Sequence, residues 1–168
     1  METRPKINVS LSPLDKILEL IGKLLFIIIW GLTLFVFFKL PTIIPNHFNA
    51  SGQPDGFGNK LTILILPIIA TLIYFGLTKL NHHPHTFNYI NSITEDNAEK
   101  QYAIATRMLR ILKIALLIIF SHIILFTYLT SSGVSNGLGV GFLPFTLGIV
   151  LIPIIFYIVQ SIKKNKVS

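Results

Sequence analysis

The sequence predicts an all-α fold: an integral membrane bundle of four transmembrane helices, with a structured outer loop and an amphipathic cytoplasmic helix. Three observations lead there. Only 12% of the 168 residues are charged and 52% are apolar, whereas soluble domains carry about 25% charged residues. Four apolar stretches, at about 18–39, 61–79, 112–130 and 138–162, match the length needed to cross a hydrocarbon core of about 30 Å. Twelve of the fourteen Lys and Arg residues fall in segments that such a threading places on one side. The chain fits one domain.

In chain order, residues 1–12 are polar and read as a mobile tail. Ser12, Pro13 and Asp15 form a helix start: Ser12 caps, Pro13 suits the first helical position, and Asp15 stands where a capping carboxylate belongs. The helix can then run to Lys39, next to Pro41, with Lys23 and Lys39 bracketing its uncharged part and able to snorkel toward the two interfaces. No small-residue cleavage site follows, so the run reads as a retained span rather than a signal peptide. Phe26, Trp30, Leu34 and Phe38 recur every four residues and read as a helix-packing stripe. The second span, 61–79, contains Pro67, which should bend it.

Segment 80–111 opens with His82, His83 and His85 and continues into a surface helix. Ser92 to Glu95 matches a capping box, Asp96 and Lys100 lie four apart, and Ala98, Tyr102, Ala105, Leu109 and Leu112 mark an apolar stripe. Early acids and late bases suit the helix dipole. The 49 residues of 114–162 contain no Asp, Glu, Lys or Arg. That is too long for one span and right for two, with the turn at 131–137 and kinks at Pro144 and Pro153.

The basic residues set the threading. Arg4, Lys6, Lys16 and Lys23, then Lys79, Lys100, Arg107, Arg110 and Lys113, then Lys163, Lys164 and Lys166 share one side, against Lys39 and Lys60. The positive-inside rule therefore places both termini and 80–111 in the cytoplasm of a cell-membrane protein, and loop 40–60 outside. In that setting the net charge of +7 reflects topology, and no nucleic-acid partner is expected. The absence of cysteine excludes disulfides and thiolate metal sites.

Loop 40–60 is the long polar, turn-rich segment flanked by apolar runs. Pro41 and Pro45 stiffen its entry, Pro54, Asp55 and Gly56 signal a turn, and Gly52, Gly56 and Gly58 permit positive φ. Turn chemistry alone accounts for most of these residues. The functional reading is a ligand site built from Pro45, His47, Asn49, Gly52, Asp55, Gly56 and Lys60. One His and one Asp are too few for a metal site.

The pattern Leu-Pro-x-x-Ile-Pro-x-His-Phe-Asn-x-x-Gly-x-Pro-Asp-Gly-x-Gly-x-Lys, from Leu40 to Lys60, resembles an uncharacterised bacterial membrane-protein family. It also resembles the N-terminal part of SdpI-type immunity proteins, which protect cells from a secreted toxin peptide. Asn97, Ala98, Glu99, Gln101 and Tyr102, followed by Arg107 and Leu109, look like a second, weaker signature of that family. The resemblance covers roughly residues 20–115 and implies a multi-pass membrane domain. The SdpI-type proteins carry further membrane segments, so the resemblance identifies relatives more than it assigns chemistry.

Other candidates are weaker. His122 is an ionisable residue deep in a span, a functional position by default, or else a neutral ring bonded to a neighbouring helix. The His82, His83, His85 triplet lacks nearby acids and reads as a polar interfacial loop more than a metal site. Glu99, Tyr102, Arg107 and Arg110 are expected to meet a cytoplasmic protein partner or anionic lipid. Gly137, Gly139 and Gly141 have no strand before them and no Lys after them, which excludes a nucleotide loop. Gly137 and Gly141 instead suit close helix approach. No Ser–His–Asp set, carboxylate pair or HExxH motif appears, so no enzyme, cofactor or metal centre is expected.

These residues point first to a binding, sensing or immunity-type module that meets an extracellular ligand, a peptide among the candidates, through loop 40–60. A small transport component, motivated by the prolines and His122, is the alternative. A membrane enzyme built on His47 and Asp55 stands third.

Overall fold

The computed structural model describes residues 4–163. The termini beyond them, including Lys164 and Lys166 of the basic tail, lie outside the described residues. The chain is mostly helical, and four helices are long and apolar enough to cross a membrane. They mark a multi-pass membrane protein.

Helix α1, Pro13–Phe37, starts on the capping box that its sequence announces: Ser12 accepts from the Asp15 N–H, and Asp15 accepts from Ser12. It ends before Pro41. The next segment corrects the expectation of an all-α chain. Strands β1 (Ile43–Phe48) and β2 (Pro54–Asn59) pair antiparallel in a two-stranded sheet, with irregular register around His47. A hairpin solves the problem of a polar segment beside lipid, because each strand satisfies the other's backbone groups. Ile44 is buried under it, while Ile43 and Phe57 are exposed.

A 3₁₀ turn, Lys60–Leu64, leads into α2, Ile65–Asn81. Pro67 therefore lies in the first turn of α2, where a missing N–H breaks no helical bond, rather than bending the middle of the span. Pro144 is placed the same way in α4, Phe142–Lys163, and only Pro153 is interior to that helix.

Helix α3, Ala98–Ser131, is continuous over 34 residues, so the amphipathic segment feeds directly into the third span. Its start corrects the capping-box expectation. Ser92 lies upstream in an irregular stretch, and Asn97 closes the turn by accepting from the Thr94 N–H and donating to the Ser92 carbonyl. Ala98, Tyr102 and Ala105 of the anticipated stripe are buried.

α3 is the centre of the bundle, packing on α1, α2 and α4. The core comprises Ile29, Val36, Ile63, Tyr74, Leu117 and Ile124 among others. Phe26 and Trp30 pack on it as expected, Phe26 stacking on Tyr74 at 4.6 Å. Leu34 and Phe38 turn outward, because a four-residue repeat drifts off a 3.6-residue helical face. Trp30 Nε1 donates to Thr71 Oγ1 at 3.0 Å, tying α1 to α2. α4 buries only Tyr157 and Ser161 and lies at the edge.

The N-terminal arm is also corrected. Residues 4–11 are laid across the end of the bundle where α1 begins. Arg4 donates to the carbonyls of His85 and Phe87, and the Tyr102 hydroxyl donates to the Pro5 carbonyl at 3.0 Å. Burial also pushes the Tyr89 phenol beneath this arm well above its ordinary range.

Candidate functional site

The hairpin is clamped at both ends. At its base, Lys60 Nζ donates to the carbonyls of Phe37 and Leu40 at 3.3 and 3.4 Å and lies 4.9 Å from the Phe37 ring. A cation there satisfies carbonyls at the end of α1 that lack helical partners. At its tip, Asn49 Oδ1 accepts from the Ser51 and Gln53 N–H groups, and the Gly52 N–H donates to the Asn49 carbonyl. These two positions build the turn.

Gly52 has φ of 76°, and a Cβ there would lie 2.6 Å from the Gly139 carbonyl oxygen. The Leu138 N–H donates to the Gly52 carbonyl at 2.7 Å. Gly137, with φ of 143°, faces the same carbonyl so closely that a Cβ would overlap it. The hairpin tip is thus docked on the α3–α4 connection. The close approach anticipated for Gly137 exists, but between two loops, while Gly141 meets nothing.

Between the clamps, His47 Nδ1 donates to Asp55 Oδ1 at 2.5 Å, with the side chains 70% and 45% exposed. A side-chain pair this exposed adds little stability, so both groups remain available to a ligand. Gly56 stands opposite His47 with no room for a Cβ, which would lie 2.9 Å from the His47 Cβ. Pro45 is buried. Under this face opens a cleft of about 440 Å³ between the hairpin, the start of α2, α3 and the start of α4. Pro45, Asn46 and His47 line one wall and Ile63, Leu66, Ile123 and Phe142 the others. The site is an apolar slot with His47 on its wall and Asp55 bonded to that histidine.

His122 sits behind this end. Its Nε2 lies 3.3 Å from the Leu138 carbonyl oxygen, and its ring stacks on Phe126 and Phe142 at 4.2 and 5.0 Å. Leu138 therefore joins His122 through its carbonyl and Gly52 through its N–H.

The opposite end holds what the sequence did not reveal. Arg107 donates to Asp15 through Nε at 2.8 Å and Nη2 at 3.0 Å. Arg110 Nε and Lys113 Nζ each donate to Glu19 at 2.9 Å, and Lys113 also reaches Thr78 Oγ1 at 3.1 Å. Lys113 is fully buried, its stem beside Gly22 and its ammonium 4.8 Å from the Tyr74 ring. Arg107 and Arg110 are thus engaged by α1. Tyr102 is buried, and of this candidate set only Glu99 is exposed. The spacing of Asp15 and Glu19 against Arg110 and Lys113, one turn apart on each helix, was the available signal. A second network ties down α4: Ser161 Oγ donates to Gln101 Oε1 at 2.8 Å, and Asn91 donates to the Ser161 carbonyl at 3.0 Å.

His83 bonds the Lys79 carbonyl through its own ring, and its ring stands 6.1 Å from that of His85. Among the described residues, no group of three or more His, Cys, Asp or Glu could hold a metal ion.

The fold and site define a small multi-pass membrane protein with a clamped hairpin at one end and a buried ion network at the other. Residues 24–71 match the model of a family described as Domain of unknown function (DUF1648). That segment holds most of α1, the whole hairpin and the start of α2. The chain is similar to an uncharacterized protein from Archaeoglobus fulgidus, 36% identical over 92 residues, which cover 48% of this chain and 50% of that protein. The chain thus spans half the length of that relative. No solved structure matches.

Proposed function

We propose that this chain is a non-enzymatic binding or sensing module of the cell membrane that recognises an extracellular or envelope ligand at its hairpin end. Both termini face the cytoplasm, in keeping with the distribution of Lys and Arg. The observation that carries this reading is exposed His47, bonded to Asp55, on the wall of the apolar cleft. An apolar slot with a few placed polar groups is the usual form of a ligand site. The ligand it fits is amphipathic: an apolar side chain or tail in the slot and a polar group on the pair. A secreted peptide meets that description, and an immunity-type role against such a peptide is the biological form we favour. The bilayer surrounds the bundle, and the exposed start of α3 around Glu99 offers a surface to a cytoplasmic partner.

The test fills the slot. Leu66→Trp should abolish photo-crosslinking of added antimicrobial peptides to a probe at Phe48, and cells carrying it should match the gene deletion in peptide sensitivity. Equal peptide tolerance in wild-type and deleted cells, with no crosslinked partner, would end this reading.

A small transport component is the second reading. One observation favours it: cavities of about 440 Å³ open at both ends of the bundle. Solute flux in proteoliposomes that is lost in His122→Ala would support it, and absence of flux would remove it.

A further inference from the structure

Helix α4 is fastened to α3 near both of its ends. Beside the hairpin, Phe142 stacks on His122 at 5.0 Å. At the far end, Ser161 Oγ donates to Gln101 Oε1 at 2.8 Å. Between these fastenings stands Pro153, which removes a helical hydrogen bond from the interior of α4. There a groove of about 230 Å³ opens between the two helices.

The groove is graded in polarity along its length. The His122–Phe142 and Gln101–Ser161 contacts show that α3 and α4 run antiparallel. Ile111 and Pro153 therefore stand at the end of the groove nearer the middle of both spans, with Met108 and Phe156 following. Arg107 and Gln160 stand at the end away from the hairpin. The deep part is apolar and the mouth is polar, which is the order of groups along a phospholipid.

The surroundings narrow the choice of occupant. α4 buries only Tyr157 and Ser161, and Ile152, Ile155 and Phe156 are exposed, so the groove opens onto the face that the bilayer covers. Water is absent at that depth, and an empty slot would forfeit the dispersion contacts of its walls. A hydrocarbon chain is what the bilayer supplies to fill it. At the mouth, Arg107 bonds Asp15 and Ser12 through Nε and Nη2, while its Nη1 donates to no protein atom among the described residues. A guanidinium with a donor to spare is suited to a phosphate oxygen, and Gln160 adds an amide that can donate to an ester carbonyl.

We propose that this groove is a site for one phospholipid of the leaflet away from the hairpin. An acyl chain lies along Met108, Ile111, Pro153 and Phe156, and the phosphate and ester region meets Arg107 and Gln160. The lipid completes the contact of α4 with α3 between its two fastenings. The site is separate from the hairpin cleft, so either assignment can fail alone.

The full chain in phosphatidylcholine vesicles tests this, with a phosphatidylcholine probe that carries a photoactivatable diazirine on one acyl chain. After irradiation, peptide mass spectrometry should find labelling at Ile111 and Phe156 several-fold above that at Leu72, an exposed residue of α2 that reports ordinary contact with the bilayer. Met108→Trp fills the groove and should abolish this excess while Leu72 is labelled as before. Met108→Ala leaves the slot open and should keep the excess, which separates a blocked groove from a disturbed fold. Labelling no higher than at Leu72, an excess that survives Met108→Trp, or one lost equally in Met108→Ala overturns the proposal. The same chain carried on diacylglycerol, which lacks the phosphate, should label the groove several-fold less, and equal labelling overturns the headgroup contact.

Discussion

Glu19 is the residue on which most depends at the basic end. Two cations, Arg110 at 7% side-chain exposure and Lys113 at 0%, donate hydrogen bonds to its carboxylate oxygens. Burying an ammonium is tolerable only with such a partner. Glu19→Ala should therefore lower unfolding stability by about 3 kcal/mol, the cost of stranding a buried charge, as measured by thermal unfolding in detergent. Lys23→Ala, one turn further along at the surface, should change it by less than about 0.5 kcal/mol. Equal effects would mean that the α1–α3 ion pairs contribute nothing. Lys60 acts at the other end as a cap, and Lys60→Met should cost about 1 kcal/mol by leaving the carbonyls of Phe37 and Leu40 unmet.

At the scale of elements, the hairpin matters through what holds it. Two short strands alone are marginal in water, yet this pair is fastened to α1 by Lys60 and to the α3–α4 connection by the Gly52–Leu138 bond. Gly137→Ala should detach the tip, because its Cβ would overlap the Gly52 carbonyl and its backbone is of the kind glycine favours. Amide hydrogen exchange should then rise at 49–53 and 137–139 while the middle of α3 stays protected. Uniform protection would show that the tip contact is not what orders the hairpin. Gly141→Ala, with nothing within 4 Å of a Cβ, is the matched control.

At the scale of the whole molecule, threading is the claim open to the simplest check. The chain has no cysteine, so single cysteines at Ser51 and Asn91 report cleanly. An impermeant thiol reagent on intact cells should label Ser51→Cys and spare Asn91→Cys, and the reverse pattern would invert the topology and remove the receptor reading. Much of the architecture was legible before any coordinates. Four helices long and apolar enough to cross a membrane follow from uncharged runs, since partition into lipid adds residue by residue along a local stretch. The cap at Ser12 and Asp15 was legible for the same reason, its partners lying three residues apart. The hairpin was read only as a turn-rich loop, because its strands carry Pro, Gly and Asn, which ordinary strand preference disfavours. The pairing of Asp15 and Glu19 with Arg107, Arg110 and Lys113 joins positions more than ninety residues apart, and Gly52 meets Leu138 across a similar gap. What the sequence alone determined is which segments prefer lipid and where the helix starts and turns fall, because those energies are local. Which basic residues would be neutralised, which glycines would touch, and where cavities would open was decided by tertiary packing alone, because each depends on two distant pieces of chain meeting in space.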